Sequence, residues 1–372
     1  MARALRSTHL AALAALAFGS TTCSSKAPAA ACTPGGDGTY ATTLYSSLSS
    51  YCMVSIQNGL VVPYDGVTPY DLNTPLFSDG AVKYRTVWTP PGTSAPYDDT
   101  HTFDLPVGSV LTKSFGFRDD LRKATPSIHW VETRVFVRQP AGWKAVSYTW
   151  DDAQSEATVA YGGPTVPLTW LDETGAQAST NYLVPNGNQC VECHAVSEVA
   201  EPIGPKARNI NKSFTYATGI DNQLAHWAAA GIVSGVPTDP TTAPRLPVWN
   251  DPSTGSVDDR ARAYLEANCA HCHSDTGFAR TTGLYLWANA PVDAALGICK
   301  PPVAVGEASG GFLYDVAPGD PDHSILAFRL ASTTPAVMMP QIGRSLADPV
   351  GVQLVRDWIT GLAPTNASCG NR

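Results

Sequence analysis

An α+β fold is the class this sequence predicts, and three observations predict it. The N-terminal half carries short runs of β-branched and aromatic residues broken by Pro and Gly. Strict alternation of apolar and polar residues marks a hairpin within that half, and the clearest helical periodicity with capping signals comes in the last third. With 372 residues, 44% of them hydrophobic, the chain can fill more than one core.

Taken in order, residues 1–22 read as an export signal: Arg3 and Arg6 precede an apolar stretch over residues 10–18 that is too short to span a bilayer. Residues 23–41, rich in Ala, Pro, Gly and Thr, read as a flexible tether. Cys23, followed by Ser24 and Ser25, stands where a lipoprotein is cleaved and acylated, although Ser20, Thr21 and Thr22 depart from the usual pattern. A lipid anchor at Cys23, on a periplasmic or outer-membrane-associated lipoprotein, thus competes with ordinary cleavage within residues 27–31 and release as a soluble protein. The net charge of −8, free of long basic runs, argues against nucleic acid as a partner.

Residues 42–183 are expected to form a β-rich, β-sandwich-like domain. Val131, Thr133, Val135 and Val137 alternate with Glu132, Arg134 and Arg138, and Gln139-Pro140-Ala141-Gly142 turns the chain into residues 143–150, which predicts one buried and one wet face. Residues 184–252 are richer in Pro, Gly and Asn. Asn186-Gly187-Asn188-Gln189 reads as a loop, and a helix is expected over residues 221–232 with Leu224, Trp227 and Ala228 on one side. Residues 253–372 begin and end in helices. Ser256 with Asp259 signals the first cap, with Ala261, Tyr264 and Leu265 forming an apolar stripe; Asp348 and Pro349 open the last helix, where Val350, Leu354, Trp358, Ile359 and Leu362 recur at helical spacing.

The chemistry sits in two copies of Cys-x-x-Cys-His: Cys190-Val191-Glu192-Cys193-His194 and Cys269-Ala270-His271-Cys272-His273. This is the spacing of c-type haem attachment. Two thiols separated by two residues can each bond a vinyl group, and the adjoining imidazole reaches the iron. A zinc ribbon sets its second pair about 15–20 residues after the first, whereas Cys193 and Cys269 lie 76 positions apart. A thioredoxin-type dithiol would open a helix after a strand, which neither context resembles. Two covalently attached haems (heme c) are therefore expected, on Cys190 and Cys193 with His194, and on Cys269 and Cys272 with His273. Nine cysteines are present. If Cys23 is acylated and the motif thiols carry haem, four are left, and Cys299–Cys369 and Cys32–Cys52 are the expected disulfides. No Walker loop, Rossmann glycine signature, nucleophile elbow or His-Glu-x-x-His site is present.

Residues 256–362 resemble a class I cytochrome c domain: Ala261 and Leu265 stand on the entry helix, Trp358 on the last helix, and Met338-Met339-Pro340 matches the family's Met-Pro loop. The resemblance implies a methionine distal ligand, and Met339, directly before Pro340, is the expected one. More widely, Tyr70-Asp71-Leu72-Asn73-Thr74-Pro75-Leu76-Phe77-Ser78-Asp79, Glu132-Thr133-Arg134, Asn188-Gln189, Pro202-Ile203-Gly204 and Pro318-Gly319-Asp320-Pro321 resemble segments of an uncharacterised bacterial family of diheme c-type cytochromes. That family joins a β-rich N-terminal region to two haem segments. The implied function is electron transfer between redox protein partners at the cell envelope, with no catalytic residue. Two rivals stay open: a diheme peroxidase or oxidase component with an open first haem, and a redox sensor whose β domain binds a ligand. The first haem's distal ligand is open as well, among Met53, His101, His129, His226, His271 and His323.

Overall fold

The computed structural model describes residues 32–362 other than 198 and 304, together with residue 369. The expected export signal and Cys23 lie outside the described residues.

Strand formation follows the β-branched and aromatic runs. β1 (Val54–Gln57) and β2 (Leu60–Pro63) make a hairpin, and β3 (Thr68–Tyr70) leads to β4 (Val82–Trp88). β5 (Ala95–Pro96) is followed by β6 (Val110–Arg118), β7 (Ile128–Gln139), β8 (Gly142–Trp150) and β9 (Ala157–Val159). β3, β4, β6, β7, β8 and β9 form one antiparallel sheet in that order. β10 (Thr165–Leu171) and β11 (Gln177–Leu183) pair separately as a hairpin. The expected sandwich thus takes the form of one large sheet covered on both faces by smaller elements. One face carries Val135, Val146 and Tyr148, packed with Leu48, Tyr51 and Met53. The other carries Val87, Leu111 and Phe136, packed against Ile210, Leu224 and Trp227.

The hairpin β7–β8 forms in the expected place, with Gln139 opposite Gly142. Its expected wet face is a correction. Glu132 is fully buried and Arg134 is only 20% exposed, because β11 and the segment after it cover them. The Tyr182 hydroxyl of β11 donates to Glu132 Oε1 at 2.5 Å, and Arg134 Nη2 donates to the same oxygen.

Beyond the sheet come α1 (Gly187–His194), α2 (Ala207–Ile210) and α3 (Gln223–Ala229). α1 stands where a loop was expected. α3 is shorter than predicted, because residues 219–222 pair with Ser213–Tyr216 as a strand before Asn222 caps the helix. The last stretch holds α4 (Val257–Leu265), α5 (Ile325–Ala331) and α6 (Pro349–Gly361). Both expected caps form: Ser256 and Asp259 exchange bonds in a capping box, and Asp348 accepts from Gly351 N ahead of Pro349. α4 and α6 enclose a core of Ala261, Leu265, Leu354, Val355 and Ile359. Cys299 and Cys369 form the expected disulfide, and Cys32 and Cys52 are each disulfide-bonded. Among the described residues no helix is long and apolar enough to cross a membrane.

Thr33–Arg372 is one compact unit, so the stretches 42–183, 184–252 and 253–372 pack together. Residues 71–79 stitch them. The Asn73 amide donates to the Arg208 and Asn211 carbonyls, Thr74 Oγ1 to Pro247 O, and Phe77 N to Asn268 Oδ1. Asp79 accepts from Ser345 N and Leu346 N, both at 2.8 Å.

Candidate functional site

The first motif occupies α1. Asn186 accepts from Asn188 N and Gln189 N while Gln189 Oε1 accepts from Asn186 N, all at 3.0 Å, so the helix starts on a capping box. Cys190 and Cys193 then fall nearly one turn apart, with His194 as the last helical residue. His194 Nδ1 lies 2.7 Å from Glu201 O. A carbonyl can only accept, so Nδ1 carries the proton and Nε2 keeps its lone pair for a metal. Phe136 supports the ring at a centroid distance of 4.5 Å. Burial pushes the His194 imidazole down to about 4, which keeps it neutral.

The second motif follows α4, whose backbone widens into a π-type turn over Glu266–Ala270. Cys269 is buried, and burial raises its thiol to about 12, far from the acidified thiol of a redox dithiol. The chain then folds back beneath the motif at Gly277, where a Cβ would meet Cys272 O at 2.3 Å, a separation only glycine avoids. His273 Nδ1 lies 3.4 Å from Thr282 Oγ1, whose own proton goes to Ala279 O. Burial lowers His273 to about 4 as well.

The two motifs touch. Cys272 Sγ donates to Glu192 O at 3.2 Å, and Gln341 Nε2 donates to Glu192 Oε2 at 2.9 Å. Cys193, His271 and Cys272 bring their ligand atoms within 4.8 Å of one another, a donor set that could also hold a metal ion.

Each motif opens on a cavity. One of about 320 Å³ is lined by Cys269, Cys272, His273, Leu284, Leu330 and Met339. A smaller one of about 150 Å³ is lined by Cys190, Cys193, His194 and Phe136, and by charged groups of the sheet. Cys193, His271, Pro340 and Ile342 line both.

Met339 shares the larger cavity with His273, whereas Met338 lines neither. The Met339 loop is anchored by Met339 N, which donates to Arg329 O at 3.0 Å, and by Arg344 Nη2, which donates to Met339 O at 2.8 Å and Ser332 O at 2.9 Å. Of the ligands left open for the first motif, Met53 is buried in the core on the opposite sheet face, and His101, His129 and His323 are exposed. His226, expected in solvent, is half-buried and stacked on Tyr216 at 3.5 Å. Only His271 of that set lines the smaller cavity.

Sequence reasoning missed Arg85, Lys113, Arg134 and Arg344, all on the smaller cavity. For Arg85, Lys113 and Arg134 the signal was the charged half of the alternating strands, which reads like any solvated face; Arg344 lies in a loop and carried no signal. Comparison with known proteins adds nothing further: no family model, no curated protein and no solved structure matches this chain.

Proposed function

We propose that this chain is an exported diheme c-type cytochrome that passes single electrons between redox protein partners at the bacterial cell envelope. The observation that carries the reading is the convergence of the two Cys-x-x-Cys-His motifs on adjoining cavities. Zinc ribbons and redox dithiols call for no such cavity beside each pair. The residues fit the group: paired thiols, an imidazole with Nδ1 held by a carbonyl so that Nε2 is free, and a mostly apolar lining.

When bound, each haem supplies a reversible one-electron iron couple whose potential follows axial ligand, burial and nearby charge. The chain's own residues do the rest. Cys190 and Cys193 would hold the first haem with His194 as proximal ligand, and Cys269 and Cys272 the second with His273. Leu284 and Leu330 keep water from the second site. The Arg344 bonds hold the loop from which Met339 would serve the second haem, in a class I cytochrome c-like domain spanning residues 253–372. Contact between the motifs at Cys272 and Glu192 keeps the two attachment sites adjacent, the condition for electrons to pass between them.

Redox titration of the purified protein with optical detection tests this. Two one-electron waves support it; a single wave, or none, overturns it. The second reading is a diheme peroxidase or oxidase component. It is favoured by one observation, that no methionine lines the smaller cavity. Rapid spectral change of one haem on adding hydrogen peroxide, with turnover of an electron donor, would select it.

A further inference from the structure

The sheet face over the smaller cavity carries an arrangement that a folded chain does not adopt without cause. Arg85 on β4 is paired directly with Lys113 on β6, and Lys113 directly with Arg134 on β7. Three basic side chains therefore stand in one cross-strand row. Like charges directly opposite each other in a sheet are destabilising, and burial strengthens the repulsion. Solvent does not relieve it here, since Arg85 is 3% and Arg134 20% exposed.

Carboxylates answer only part of the row. Asp71 pairs with Arg85 at 2.9 Å but also serves Lys212 at 3.0 Å, and Glu132 pairs with Arg134. Lys83, beside the row on β4, donates to Leu76 O. Lys113 has no ion pair or hydrogen bond among the described residues; its ammonium rests 4.7 Å over the Phe115 ring. From the other side of the cavity comes Arg344, likewise without an ion pair and with its buried Nε unpartnered. Arg85 Nη2 is buried and unpartnered too. Arg85, Lys113, Arg134 and Arg344 all line this cavity, together with Cys190 and His194, and no Asp or Glu does.

We infer that Arg85, Lys113, Arg134 and Arg344 form a dicarboxylate clamp that receives the two propionates of the haem on Cys190 and Cys193. The clamp rests on the diheme reading. It gives the β domain a function: its charged face neutralises the first cofactor and holds that cofactor's potential up, because cations beside an iron disfavour its more positive, oxidised state. The donors are the right kind: Arg85 Nη2 and Arg344 Nε are buried N–H groups with no partner among the described residues, and guanidinium N–H groups bond carboxylates strongly.

Three variants of the haem-loaded protein test it: Lys113→Met, Lys113→Arg, and Lys144→Met, an exposed charge on the opposite sheet face. Covalent haem is counted first, and loss of both haems from the wild type would sink the underlying reading instead. With two haems retained, Lys113→Met should lower one midpoint potential and leave the other in place, Lys113→Arg should restore it, and Lys144→Met should move neither. Unchanged potentials in Lys113→Met overturn the clamp. So does a change to a high-spin spectrum confined to Lys113→Met and Lys113→Arg, which would make Lys113 an iron ligand. Saturable binding of free succinate to the wild type, lost in Lys113→Met, would assign the row to a diffusible dicarboxylate and overturn the propionate assignment.

Discussion

Replacing Gly351 by Ala should destabilise the protein, although the same change in most helices does the reverse. Gly351 lies in the first turn of α6, and a Cβ built there would stand 2.3 Å from Tyr264 Cζ and Oη and 2.5 Å from Cε2. Helix propensity favours Ala over Gly by about 0.5–1 kcal/mol in an interior position. Overpacking a core by one methyl costs about 1–3 kcal/mol when the neighbour cannot move. Tyr264 has little room: it is 2% exposed, its hydroxyl donates to Asp348 Oδ2 at 3.1 Å, and its ring packs on Trp249 at a centroid distance of 5.0 Å. The clash wins, with a net loss of about 1–2 kcal/mol and a fall of a few degrees in Tm for a protein of this size. The loss should concentrate on the α4–α6 crossing, which positions Cys269. Urea and thermal unfolding followed by circular dichroism measure it. In Tyr264→Leu, where the ring is gone, adding Gly351→Ala should cost nothing. Equal or greater stability of Gly351→Ala in the wild-type background would refute the packing argument.

Met339→Ala should abolish the weak long-wavelength sulfur-to-iron absorption band and lower one midpoint potential, since a thioether opposite His favours reduced iron; Met338→Ala should leave both in place. Spectra of the two variants check this, and the opposite pattern would transfer the assignment to Met338. Lys206, which lines neither cavity, gives a pH test. It is buried over Trp287 at 4.4 Å, and burial pushes its ammonium down to about 8 from 10.5. Between those values the unfolded chain binds a proton that the folded chain does not, so this group makes stability rise with pH across that window and contributes no slope below about 8. Relative to Lys206→Met, the wild type should therefore gain up to about 3 kcal/mol between about pH 8 and pH 10.5, at 1.36 kcal/mol per unit. Urea titrations of both proteins across that range measure it, and a flat difference would remove the buried-ammonium argument.

What could be read in advance was what local rules decide. Ser256 with Asp259 and Asp348 with Pro349 mark helix starts because the caps lie within one turn of sequence, and β7–β8 was legible because its turn and its alternation are contiguous. The same rule was available at Asn186 and Gln189, but Gly187 and Asn188 between them are poor helix formers, and the box was read as a loop. The character of the sheet's charged face was not readable. Alternation tells which residues share a face and says nothing of what covers it, and the cover comes from Tyr182, α1 and the Arg344 loop, as much as 210 positions away from Arg134. The role of residues 71–79 was hidden for a similar reason: Asn73, Thr74, the Phe77 backbone and Asp79 bond to partners more than 130 positions on. The two Cys-x-x-Cys-His motifs were legible directly, because their spacing is local even where the cavity beside them is not.

The central claim is that both motifs carry covalent haem, and the intact mass of the protein, expressed with a c-type maturation system and denatured in acid acetone, tests it most directly. The account predicts a chain heavier by two haem groups, with Cys193→Ala and Cys272→Ala each weakening retention at its own site and leaving the other intact. A chain of unmodified mass that instead holds zinc through Cys193, His271 and Cys272, the three donors that already lie within 4.8 Å of one another, would contradict it.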